Sequence, residues 1–124
     1  METLVNCDII VDIESIDKVS GGNQEYEVYF TSVDNVKCKL VFDCVWEFRS
    51  AIENAYIDRA TRFKHEEIQK SSMLLVQNSD YIKYFARQVS GTRPLSDIKD
   101  YIIFDSIDTI VEVLTIKEPR LIKL

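Results

Sequence analysis

The sequence predicts an α+β domain: a mostly antiparallel sheet of five to six strands, with two main helices packed on one face. Three observations carry that expectation. Apolar residues alternate along the first segment and through a hairpin, the spacing changes to three and four from Val45 onward, and short turns join consecutive strands.

The first strand is read from Val5, Cys7, Ile9, Val11 and Ile13, apolar at every second position. Asp17 to Gln24, with Ser20, Gly21, Gly22 and Asn23, reads as a flexible turn. A hairpin follows, in which Tyr26, Val28 and Phe30 face Cys38, Leu40 and Phe42. Its register can be derived. A two-residue Asp34-Asn35 loop splits the apolar set between faces. A three-residue loop, Val33 to Asn35, instead pairs Phe30 with Cys38, Val28 with Leu40 and Tyr26 with Phe42, and gives Asn35 the left-handed position.

From Asp43 the period changes. Val45, Phe48, Ile52, Ala55, Tyr56 and Phe63 predict a helix from Asp43, its N-cap, to about Lys64, with Arg49–Glu53 and Asp58–Arg62 spaced to pair on its exposed side. Met73–Val76 reads as a strand. Ser79 or Asn78 caps a second helix that buries Ile82, Phe85 and Val89, and Gly91 and Pro94 end it. Leu95–Lys99 can hold one helical turn. Tyr101–Phe104 and Thr109–Ile116 read as strands joined at Asp105–Asp108, and Leu121–Leu124 returns as an edge strand after Glu118-Pro119.

The 124 residues fit one domain, 1–124, and 46% hydrophobic against 29% charged is a globular balance. A chain of this size needs no disulfide or metal to fold. The net charge of −6 disfavours nucleic acid and anionic membranes and favours a basic protein partner. Three cysteines, Cys7, Cys38 and Cys44, no signal-like start and no long apolar run lead to the expectation of a soluble cytoplasmic protein with reduced thiols.

Few residues suggest catalysis. His65 is the only histidine, and the cysteines are too few for a four-cysteine site, so no metal and no cofactor are expected. Cys44 with His65 has the residue types of a nucleophile and base, but Cys44 sits beside Val45 and reads as a packed or exposed structural thiol. Ser90-Gly91-Thr92-Arg93-Pro94 is a helix stop rather than a phosphate loop. The expectation is therefore a non-enzymatic interaction domain with a protein partner. Its candidate contact residues are the strand carboxylates Asp8, Asp12, Glu14, Glu25 and Glu27, with Lys37 and Lys39 placed to neutralise part of the group. Tyr29 and Tyr84, if exposed, are further interface anchors. Two other roles stay open: a ligand-binding or minor enzymatic domain with a pocket between sheet and helices, and a homodimeric subunit pairing through an edge strand.

Four stretches resemble small bacterial proteins, some of them immunity proteins encoded beside polymorphic toxins. They are Phe42-Asp43-Cys44-Val45-Trp46-Glu47-Phe48-Arg49, Asn78-Ser79-Asp80-Tyr81-Ile82-Lys83-Tyr84-Phe85, Ser90-Gly91-Thr92-Arg93-Pro94, and Glu112-Val113-Leu114 with Glu118-Pro119. The resemblance implies a compact cytoplasmic binding protein and no catalytic residues; joined to the acidic charge, it makes a basic toxin domain the expected partner, which the protein would neutralise.

Overall fold

The structure is a computed structural model that describes residues 2–52, 71–89, 97–107 and 109–124. Nine strands and one helix are present among these residues. They are β1 (Thr3–Asn6), β2 (Ile13–Gly22), β3 (Glu25–Ser32), β4 (Lys37–Phe42), β5 (Val45–Ile52), β6 (Met73–Gln77), α1 (Asp80–Val89), β7 (Lys99–Phe104), β8 (Thr109–Thr115) and β9 (Arg120–Lys123). The strands form two antiparallel sheets, one ordered β1-β6-β7-β8-β5 and the other β2-β3-β4-β9.

The two sheets pack face to face. Val28, Phe30, Leu40 and Phe42 of the four-stranded sheet share one core with Met73, Tyr101, Ile103, Val111 and Val113 of the five-stranded sheet. Aromatic pairs bridge the gap: Tyr26 stacks on Phe48 at 5.0 Å, and Phe42 meets Tyr101 edge-on at 6.0 Å. Val28, Leu40, Phe42, Ile103, Val111 and Val113 are each 0% exposed. Burying such side chains contributes about 1.5–3 kcal/mol apiece, so this interior dominates folding. Among the described residues the fold is therefore a β-sandwich with one short helix, which overturns the expected α+β sheet with two main helices on one face.

The chief cause of that difference is β5. Its apolar residues Val45 and Phe48 stand three apart, as on a helix, but a bulge lies between Val45 and Glu47 in the pairing with β8. The extra residue breaks the two-residue period: Val45 and Phe48 turn toward the core, while Trp46 packs against the helix side chains. Pairing from Val45↔Thr115 to Ile52↔Thr109 then holds the strand. Asp43 caps no helix. The chain crosses between sheets there, with Cys44 left-handed at φ 56° and both carbonyls accepting from the Thr115 hydroxyl.

A second correction concerns the first 24 residues. Cys7, Ile9, Val11 and Ile13 do line the core in alternation, but the ladder stops at Asn6 and resumes at Ile13 in the other sheet. Between them, Ser71 and Ser72 replace strand partners: Val11 N–H donates to Ser71 Oγ at 3.2 Å, Ile13 N–H to Ser72 Oγ at 2.8 Å, and Ser72 N–H to the Val11 carbonyl at 2.7 Å. The expected turn at Asp17–Gln24 is mostly strand. Only Asn23 and Gln24 turn, both at positive φ. Register shifts at Ile13/Ser15 and Ile16/Lys18 space the inward Ile13, Ile16 and Val19 by three and hide the strand period.

The hairpin follows its expected register: Phe30 opposes Cys38, Val28 opposes Leu40, Tyr26 opposes Phe42, and Asn35 is left-handed at φ 64°. The second expected helix, the strands around residues 73–76, 101–104 and 109–116, and the edge strand β9 are present. Ala55, Tyr56, Phe63, His65, Gly91, Pro94, the Glu53 and Asp58–Arg62 pairings and the side chain of Val89 lie outside the described residues, as do the first two residues of the possible helical turn at Leu95–Lys99, whose last residue begins β7.

Candidate functional site

Two polar assemblies stand out, one buried and one exposed. The buried one lies between α1 and the outer face of the five-stranded sheet. Ser79 caps the helix by accepting from Ile82 N–H at 3.0 Å, and its hydroxyl donates to the Asp100 carboxylate. The Glu2 carboxylate accepts from Asp80 N–H at 2.7 Å. Arg49 Nη2 donates to Glu112 Oε1 at 2.6 Å and Nε at 3.0 Å, while its guanidinium carbon lies 3.7 Å from the Tyr81 ring centre.

Asp100 and Glu112 are 0% exposed, and Tyr81 is also buried. Burial first, then the negative charge of Glu47, pushes the Tyr81 hydroxyl well above its ordinary range. Around this cluster Phe85, Ile98 and Leu114 complete an apolar seal, and Trp46 lies 5.8 Å from the Phe85 ring. This network fixes the helix to the sheet.

The exposed assembly is one end of the sandwich, where four chain segments meet. Val33 N–H, in the β3–β4 turn, donates to the Asp12 carbonyl at 3.1 Å. Ser106, in the β7–β8 turn, donates twice to the Glu14 carbonyl, from N–H at 3.3 Å and Oγ at 2.8 Å. Leu124 N–H donates to the Lys37 carbonyl at 3.0 Å, at the start of β4 just past the turn.

This end is unusual in what it exposes. Seven large apolar side chains are exposed among the described residues; three of them lie in the segments joined here, Ile10 at 38%, Val33 at 47% and Ile107 at 64%, and a fourth, Leu124 at 66%, borders the adjoining hollow with Asp17, Lys18, Tyr29 and Lys37. The carboxylates of Asp12, Glu14 and Asp34 are exposed among them. Lys37 is the nearby cation, and its field helps lower the Asp17 carboxyl, whose larger causes are hydrogen bonds from Thr31 and Ser15.

The five carboxylates expected to form one strand face are spread over three places. Asp12 and Glu14 belong to the exposed end. Asp8 lies in the crossing segment, beside Glu118 and Pro119. Glu25 and Glu27 lie toward the far end of β3, where Glu25 opposes Gly22. Eight residues of strand separate Glu25 from Val33, about 27 Å. Glu27 is engaged there. It accepts from the Tyr29 hydroxyl and from Lys39 Nζ at 3.1 Å, and these two bonds, in that order, hold its carboxyl below the ordinary range. Lys39 thus neutralises Glu27 as its diagonal placement predicts, whereas Lys37 sits nearer Asp17. Tyr29 is half-buried, with Lys18 and Lys39 at 5.2 and 5.6 Å from its ring centre. Tyr84 is 51% exposed on α1.

Sequence reasoning missed Ile10, Val33 and Ile107. Each occupies a turn or irregular stretch, and no pattern distinguishes an exposed isoleucine from a buried one. Cys7, Cys38 and Cys44 are free thiols, and burial pushes the Cys7 thiol up. No group of three or more histidine, cysteine, aspartate or glutamate side chains is placed to hold a metal ion among the described residues, and none of their helices is long and apolar enough to cross a membrane. Compared with known proteins, the chain matches no family, no curated protein and no solved structure.

Proposed function

We infer that the chain is a non-enzymatic protein-interaction domain whose contact surface is the acidic, apolar end of the sandwich. One observation carries this reading: three of the seven large apolar side chains exposed among the described residues, Ile10, Val33 and Ile107, lie in the segments that meet at one end, with the exposed carboxylates of Asp12, Glu14 and Asp34. Apolar side chains that stay in water on several adjoining loops mark a surface that gains by being covered. Carboxylates around them select a basic partner and speed its approach. The buried ionisable groups support the same reading, because Glu112 and Asp100 lie beneath the helix and serve its attachment.

The resemblance to toxin-neutralising immunity proteins supplies the finer form of the proposal: a cytoplasmic protein that binds and blocks a basic toxin domain. The four-stranded sheet is poorly suited to self-pairing. Its edge strand β2 is bulged twice, and its other edge, β9, is four residues long with Arg120 and Lys123 at its ends.

The test is co-purification with the product of the adjacent reading frame, comparing wild type with a D12N/E14Q/D34N variant. The expected result is capture at low salt that weakens as salt rises and weakens strongly in the variant. Equal capture by the variant at every salt concentration contradicts the surface. A catalytic turnover assignable to the isolated chain contradicts the non-enzymatic reading.

A further inference from the structure

Among the described carboxylates of the exposed end, Asp105 is the one that accepts from backbone N–H groups. Its Oδ2 accepts from Ile16 N–H at 2.9 Å, on β2 in the opposite sheet. Its Oδ1 accepts from Ile107 N–H at 3.1 Å and Thr109 N–H at 2.9 Å. One side chain therefore ties the β7–β8 turn to itself and to the other sheet. Ser106 adds its two bonds to the Glu14 carbonyl. Between these anchors Ile107 projects, 64% exposed.

An exposed isoleucine on a loose turn is expected to fold inward or sample many positions, because water disfavours it. Here its own N–H and those of Ser106 and Thr109 are held, so the backbone beneath it is braced on both sides. We propose that Asp105 is the positioning residue of the docking end: it holds Ile107 outward before the partner arrives, and binding of a basic, apolar-anchored polypeptide depends on Asp105 through Ile107. This rests on the interaction reading above. Its physical content is pre-organisation. Ordering the isoleucine side chain and its turn at the moment of binding costs about 0.5–1.5 kcal/mol, or roughly twofold to twelvefold in affinity, and a turn already held avoids that cost.

The probe is a short synthetic peptide of alternating lysine and leucine, titrated into the full chain and followed by backbone amide NMR. Wild-type shifts are expected at residues 10–14, 33–35, 105–107 and 124. D105A is expected to weaken the peptide about twofold to twelvefold while core amides of β3 and β6 keep their positions. I107A should weaken it similarly, and D105A/I107A should be no weaker than I107A alone. Additive losses overturn the claim that Asp105 acts through Ile107. D105N, which keeps one acceptor oxygen, covers the case in which D105A fails to fold, and an intermediate loss is expected.

Amide exchange in the free wild type separates the two levels of the argument. Protected Ile16, Ile107 and Thr109 amides support the brace, and freely exchanging ones overturn it whatever the peptide does. Protected amides with no peptide shifts at this end overturn the docking reading instead.

Discussion

Replacing Arg49 by alanine should be among the most damaging single changes on the helix side of the sandwich. Glu112 is 0% exposed, and Arg49 reaches it at 2.6 Å from a side chain that is 40% exposed. Coulomb's law at that distance, with an effective dielectric of about 20, gives roughly 6 kcal/mol of attraction. The exposed guanidinium keeps part of its water, so the net loss is smaller. Removing one partner of a buried pair costs about 3–5 kcal/mol, and the lower end applies here. The lost stacking on Tyr81 adds about 0.5–1 kcal/mol.

Urea unfolding of R49A should therefore show about 3 kcal/mol less stability at an unchanged slope, and the melting temperature should fall by about 10 °C. R49M/E112L removes both charges and should recover most of the loss, because an apolar pair under the helix needs no compensation. An R49A loss under about 1 kcal/mol would contradict this expectation, since it would mean that Glu112 gains little from the guanidinium.

Three further outcomes follow from the same geometry. Glu27 is shifted down from its ordinary 4.5 by the Tyr29 and Lys39 bonds, while Tyr29 and Lys39 are shifted up from 10.0 and 10.5 by Glu27. Their joint contribution is present between these limits, lost as pH falls through the lowered Glu27 value and lost again as pH rises through the raised Tyr29 and Lys39 values; E27Q should flatten both flanks of a stability–pH profile. A Cβ at Gly21 would lie 2.3 Å from the Glu25 carbonyl oxygen and 2.8 Å from Tyr26 Cα, so G21A should cost about 1–3 kcal/mol in chemical denaturation, whereas G22A, with nothing within 4 Å, should cost far less. S79A removes the helix cap and the Asp100 hydrogen bond together, and about 1–2 kcal/mol of stability should be lost, with amide exchange rising first at Ile82.

How far the sequence could be read depended on whether local pattern and tertiary pairing agreed. In the Tyr26–Phe42 hairpin the alternation is uninterrupted and Asn35 suits the turn, so the register follows from the residues alone. Helix α1 was legible for the same reason: Ser79 supplies a cap and Tyr81, Ile82 and Phe85 supply a buried face. At β5 and β2 the bulges replaced spacings of two with spacings of three. A strand of that kind imitates a helix or a turn until its partner is known.

The contact surface divided along the same line. Asp12 and Glu14 could be named from composition and alternation. Their neighbours could not, because the end is assembled by bonds such as Ser106 to Glu14, across 92 residues. Glu25 and Glu27 looked equivalent to them in sequence, yet the chain carries that pair toward the far end of β3 and commits Glu27 to Lys39 and Tyr29.

The most direct measurement is a hydrogen-exchange footprint of the chain bound to the product of its neighbouring reading frame. New protection is expected at residues 10–14, 33–35 and 105–107 and at Leu124, with α1 and the outer face of the four-stranded sheet unchanged. Protection confined to α1 around Tyr84, or to the strand face carrying Glu27, Tyr29 and Lys39, with the acidic end still exchanging freely, would contradict it.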